Sequence, residues 1–153
     1  MEISMNIFQQ LWSNQWLITA LLGWFVAQLL KIPITWILEK RLDFTRFWGS
    51  GGMPSSHSAF TTSLATAIGL TNGFDSLEFA LGFVLAFIVM YDAAGVRQNA
   101  GKQANILNRV IEYLKLTENG EPYQQLKTLL GHTPFEVVGG AVLGIIIALI
   151  RHL

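Results

Sequence analysis

Residues 77–94 read LEFALGFVLAFIVMYDAA, an apolar run whose ionisable side chains, Glu78 and Asp92, lie near its two ends. Crossing the hydrocarbon of a bilayer takes about 20 residues, with a range of about 17–25, so this run is long enough to span. Upstream, Trp16 to Leu38 is also long enough, although Lys31 and Pro33 interrupt it. Between the two, Ser58 to Leu70 is shorter and rich in Ala, Ser, Thr and Gly, a composition suited to a helix packed closely among neighbours. Near the C-terminus, Phe135 to Ile150 forms a fourth segment, which reaches spanning length only with its flanks, as the second does. The expected fold is all-α: one integral membrane bundle of about four transmembrane helices, a single domain over residues 1–153. A soluble bundle with a buried core is the alternative, and the scarcity of charge in these segments speaks against it.

Composition agrees. The chain is 52% hydrophobic and 13% charged, about half the charged fraction of a typical soluble domain. Its zero net charge gives no support for nucleic-acid binding. Without cysteine, disulfides and thiolate metal sites are excluded. Met1 to Gln15 lacks a basic start and a small-residue cleavage site, so a removable signal peptide is not expected.

The stretch between the third and fourth segments is polar. Ala104, Leu107, Ile111 and Leu114 recur at helical spacing and are flanked by Lys102, Arg109 and Lys115, which predicts an amphipathic helix on the membrane surface. An ordinary solvated helix is the plainer reading. Asn119-Gly120 predicts a turn, and a short helix is expected from Pro122 to Leu130, ending at Gly131.

Basic residues are one-sided. Lys40, Arg41 and Arg46 follow the first segment, and Arg97, Lys102, Arg109, Lys115 and Lys127 follow the third. The opposite side carries only Arg151. The positive-inside rule places both basic connections in the cytoplasm and both termini outside; the cytoplasmic (inner) membrane is the expected location. Cysteines introduced at Arg46 and Lys115 are therefore expected to resist membrane-impermeant thiol reagents in intact cells; ready labelling of both would show the topology to be inverted.

Two of the three histidines occupy the same kind of position. His57 lies in Gly51-Gly52-Met53-Pro54-Ser55-Ser56-His57-Ser58, where a loop leads into the second segment. His132 lies in Gly131-His132-Thr133-Pro134-Phe135-Glu136, where another leads into the fourth. Both approach from the cytoplasmic side, so the two imidazoles are expected at one end of the bundle. Helix starts present unpaired N–H groups and favour anions, and two histidines beside an anion suit phosphoryl transfer. Asp92, Arg97 and Lys31 gather at the same end, with Lys31 and Arg97 as candidate phosphate ligands. Each feature also has a bland reading: Ser55 or Ser56 as an N-cap, Thr133-Pro134-x-Glu136 as a capping box, Asp92–Arg97 as a structural ion pair, and a Lys31 that snorkels to the headgroups. Gly140-x-x-x-Gly144, next to Gly139, reads as a close helix crossing.

Pro54-Ser55-Ser56-His57 resembles the Pro-Ser-Gly-His motif of the phosphatidic acid phosphatase and vanadium haloperoxidase superfamily, and His132-x-x-x-Glu136 resembles the His-x-x-x-Asp end of its third motif. Together with Tyr91-Asp92-Ala93-Ala94-Gly95-Val96-Arg97, they look like the divergent branch of that superfamily. The resemblance implies that His132 is a nucleophile forming a phosphohistidine, Glu136 its orienting partner, His57 the general acid, and Ser55 and Ser56 donors to phosphate. It implies a metal-independent phosphoric ester or anhydride hydrolase without a cofactor, acting on a phospholipid or isoprenoid phosphate. Homo-oligomer formation stays open. Three departures stand out: Ser56 replaces the motif glycine, Gln125 and Leu126 replace the Ser-Arg that opens the third motif, and Lys-x6-Arg-Pro is absent. They favour a second reading, a non-catalytic protein that binds or transports an anionic lipid. A vanadate-dependent haloperoxidase is a distant third.

Overall fold

The computed structural model describes residues 6–40, 51–114, 117–118, 121–126, 128 and 131–153. Arg41, Arg46, Lys115, Lys127 and the Asn119-Gly120 turn lie outside them.

A short helix, α1 (Ile7–Ser13), precedes α2 (Gln15–Glu39). Asn6 starts α1 with a capping box: its side chain accepts from the Gln9 N–H while the Gln9 side chain accepts from the Asn6 N–H. Sequence reading passed over this helix, although Asn6 and Gln9 stand at capping-box spacing. Asn14 separates α1 from α2 and caps the latter. α2 continues through Pro33 instead of breaking there, which membrane helices tolerate where surrounding groups satisfy the freed carbonyl.

α3 (Ser56–Asn72) is the centre of the bundle, packed against α2, α4 (Leu77–Ala94) and α6 (Pro134–His152). Its small residues explain this position: Ser56, Ser58, Ala59, Thr61, Thr62, Ser63, Ala65, Ala67 and Gly69 are all buried. Neighbouring helices approach it through glycine. A Cβ at Gly23 of α2 would lie 2.9 Å from the Ala59 carbonyl oxygen, and one at Gly144 of α6 would lie 2.9 Å from the Ser63 nitrogen. Without a hydrophobic drive between helices in lipid, such close backbone packing is what holds a bundle together.

Among the described residues, three stretches are long and apolar enough to cross a membrane: Gln15–Ile37, Leu77–Leu114 and Pro134–His152. About four were expected; the more polar α3, packed among these three, is not one of them.

α5 (Val96–Leu114) follows α4 after Gly95 alone. It is amphipathic, and the expected stripe of Ala104, Leu107, Ile111 and Leu114 divides between protein and surroundings. Gly101 and Ala104 are buried, whereas Leu107 and Leu114 are 50% and 56% exposed. The outward apolar side is formed by Val96, Leu107, Val110 and Leu114.

The helix expected from Pro122 to Leu130 is not present in the described part of that range. Pro122 belongs to β2 (Glu121–Pro122), antiparallel to β1 (Thr117–Glu118), and residues 123–126 are irregular. The cause is Asn108 on α5, whose Nδ2 donates to the Leu126 carbonyl (2.9 Å) and whose Oδ1 accepts from the Leu126 N–H (2.8 Å). Both backbone groups that a helix would use are taken by a side chain 18 residues away.

Candidate functional site

The helix directions bring four pieces of chain to one end of the bundle. At the opposite end, Trp16 Nε1 donates to Thr71 Oγ1 (2.6 Å) and His152 Nε2 meets Thr19 Oγ1 (2.9 Å), pairing the start of α2 with the ends of α3 and α6. The end of α2, the starts of α3 and α6, and the end of α4 therefore share the other pole.

Main-chain bonds between the sequence motifs fix that pole. The Ser55 N–H donates to the Glu136 carbonyl (2.9 Å), tying the loop before α3 to α6. The His132 N–H donates to the Ala93 carbonyl (2.9 Å), tying the loop before α6 to α4. Gly131, with φ 83°, makes the turn that brings His132 against α4; a Cβ there would strike the Arg97–Gln98 backbone.

The two imidazoles lie side by side, their centroids 5.7 Å apart and their planes inclined by 66°. His132 is 1% exposed, and its Nδ1 is 2.9 Å from Glu136 Oε2. An ionised carboxylate only accepts, so the proton of this bond belongs to Nδ1, and Nε2 carries the lone pair. That Nε2 is buried with no partner among the described residues, as is Nδ1 of His57. Glu136 Oε2 also accepts from the Thr133 N–H (3.2 Å), and Thr133 Oγ1 accepts from the Glu136 N–H (3.3 Å). The capping box and the imidazole partner are thus one carboxylate in two roles.

Ser55 is the N-cap of α3, its hydroxyl accepting from the Ser58 N–H at 3.3 Å. Ser56, the first residue of α3, accepts from Lys31 Nζ at 3.4 Å. Lys31 is wholly buried, so it turns into the bundle and does not snorkel. Arg97 Nε donates to Asp92 Oδ2 at 2.7 Å, with the two side chains 50% and 38% exposed. The five-residue spacing is unfavourable within one helix, but Gly95 ends α4 between the two residues, so the helical rule does not apply.

Sequence reading singled out His57, His132, Glu136, Ser55, Ser56, Lys31 and Arg97 as site residues, and Asp92 and Thr133 as their neighbours. It did not single out Ser58, whose hydroxyl is buried without a partner one turn into α3, because a serine among many small residues gives no distinguishing signal. Among the described residues, no three His, Asp or Glu side chains gather as a metal-binding group.

Fold and site together define an integral membrane helical protein with a carboxylate-linked histidine pair at one pole. A family model described as the divergent PAP2 family matches residues 12–147, and the chain belongs to that family. It is 39% identical over 152 residues to the "uncharacterized membrane protein YuiD" of Bacillus subtilis (strain 168), with 92% of this chain and 96% of that protein covered. No solved structure matches.

Proposed function

We propose that this protein is a lipid-phosphate or lipid-pyrophosphate phosphatase working at the cytoplasmic face of the membrane, with His132 as nucleophile. The observation that carries the reading is the buried imidazole pair, 5.7 Å between centroids, with His132 Nδ1 held by Glu136 and Nε2 unpartnered. A single phosphoryl group spans that separation. Nε2 of His132 attacks phosphorus, the lipid oxygen leaves with a proton from His57, and water then releases phosphate from the phosphohistidine. Glu136 keeps the attacking ring in one tautomer and stabilises the charge it acquires. Lys31, Ser56, Ser55 and Arg97 offset the phosphate charge.

In this reading α3 is a fourth span. Its 17 residues extend about 26 Å, short of the roughly 30 Å hydrocarbon thickness. The site therefore sits slightly below headgroup level, and a buried Lys31 offsets the cost of drawing a phosphate inward. α5 lies along the same surface with Lys102 and Arg109 toward headgroups.

Release of phosphate from a panel of lipid phosphates by the purified protein, compared with His132→Ala, tests this function. One observation favours the second reading, an anionic-lipid binder without turnover: Arg97 engages Asp92, so part of its charge is already neutralised. That pair gives a separate prediction. One of the five guanidinium N–H donors serves Asp92, and the others remain for two phosphate oxygens, a fork that Lys does not reproduce. Arg97→Lys is expected to weaken vanadate binding roughly tenfold with little change in melting, since exposed ion pairs contribute only about 0–1 kcal/mol. Unchanged vanadate affinity, with equal loss of stability in Asp92→Ala and Arg97→Ala, would make the pair purely structural.

A further inference from the structure

The largest unexplained feature near the histidines is a slot between α4 and α6. Both helices pack on α3 but touch each other over few residues, and α3 forms the floor of a cavity of about 410 Å³ between them. Ligand sites typically measure about 300–1,000 Å³. Thr62 and Ala65 on the floor and Ala86 low on the α4 wall are buried, whereas Phe83, Phe87 and Ile145 on the rim are 57%, 60% and 42% exposed. The slot is therefore open sideways, toward where lipid lies.

We propose that this slot holds a single hydrocarbon chain of the phosphate-bearing lipid, a proposal that rests on the phosphatase reading for the identity of the headgroup. Continuity with the histidine site is the first argument. At the near end are Met90 and Ala141. Three residues beyond Met90, the Ala93 carbonyl holds the His132 N–H; five before Ala141, Glu136 holds the His132 ring. The near end therefore lies within about two helical turns of the groups that hold His132, close enough for a chain attached to a phosphate there to reach it.

Lining chemistry is the second argument. Phe79, Phe83 and Phe87 recur at four-residue spacing and form a wall of rings along α4. The hydroxyl at the near end is already engaged, since Thr62 Oγ1 bonds the Ser58 carbonyl (2.7 Å) and the Ala141 carbonyl (3.2 Å). Apart from the two threonines, Thr62 and Thr66, every lining side chain is apolar. The far end is closed by Leu70, Phe74 and Leu149. From Thr62 to Leu70 along α3 is about 12 Å, which sets the length of chain the slot can follow. Its narrow, concave form suits one chain better than the ridged face of a second copy.

The test uses single-chain alkyl phosphates from butyl to hexadecyl with the full-length protein in one detergent, so that partitioning cancels between variants. The readout is kcat/KM where phosphate is released and equilibrium binding where it is not. For the wild type, affinity is expected to rise by at most about fourfold per methylene, then level off once the chain passes the far end. Ala141→Phe, which fills the near end, should cut the ratio of longest to shortest chain at least tenfold. Phe87→Ala truncates an exposed side chain, is expected to fold, and should lower the same ratio. Chain-length profiles in both variants identical to wild type would overturn the proposal. A changed oligomeric state in Ala141→Phe with an unmoved profile would assign the slot to a second copy and overturn it too. Failure of the wild type to release phosphate from any member would overturn the phosphatase reading alone, because the binding profile still decides the slot.

Discussion

His132→Ala is expected to lower phosphate release at least about 10³-fold for every substrate, because it removes the atom that forms the covalent intermediate. His57→Ala is expected to behave differently. A general acid contributes about 10²–10⁴-fold when the leaving group needs a proton, and little when it does not. A lipid alkoxide needs one; a nitrophenolate does not. His57→Ala should therefore be severely slowed on a lipid phosphate but retain most of its activity on p-nitrophenyl phosphate, whereas His132→Ala should be equally inactive on both. Steady-state release from the two substrates, with melting curves to confirm folding, separates the roles. The assignment rests on His132 Nε2, buried and without a partner among the described residues, and on Nδ1 held at 2.9 Å by Glu136. Identical leaving-group dependence in the two variants would count against distinct roles. Retained release in His132→Ala would remove the nucleophile assignment, leaving the anionic-lipid binder as the better account.

Much of this arrangement was readable before any coordinates because it depends on local rules. His57 and His132 share a pole since one opens α3 and the other leads into α6, and both helices start on the same side. Thr133 and Glu136 form their capping box because the spacing is the box. Features that depend on distant residues were not readable. The backbone around Leu126 follows an asparagine on another element, so propensity alone suggested a helix where none forms. Arg97 reaches Asp92 only because Gly95 interrupts the helix between them, and sequence spacing argued the other way. The slot between α4 and α6 exists because both lean on α3 and meet over few residues, a matter of helix placement that no single segment encodes. α1 is different in kind, since its capping box was present in the sequence and simply not used.

The glycines of α6 show the same limit and allow the sharpest structural test. Gly139, Gly140 and Gly144 all read as packing residues, but the sequence does not rank the adjacent pair. In the structure they differ greatly. A Cβ at Gly139 meets only the flexible end of Met53, with Cε at 3.0 Å. A Cβ at Gly140 strikes the Ser55 carbonyl group, its carbon at 3.0 Å, and Ser58 Cβ at 3.0 Å. Met53 can rotate away. The Ser55 carbonyl cannot, because it accepts from the Ala59 N–H (3.0 Å) at the start of α3, and the Ser55 N–H is bonded to the Glu136 carbonyl (2.9 Å). Relief of the clash must therefore push the start of α3 away from α6, and with it His57 away from His132. Any gain in helix propensity from Gly to Ala is common to both variants, so their difference isolates the crowding. Gly140→Ala is expected to destabilise by about 1–3 kcal/mol, the usual range for overpacking, and to lower phosphate release more than tenfold. Gly139→Ala should stay within about 0.5 kcal/mol of wild type and remain active. Thermal unfolding in detergent and phosphate release for the two variants decide the matter: equal melting temperatures would mean that α3 and α6 do not cross at Gly140, and the histidine pair would lose its support.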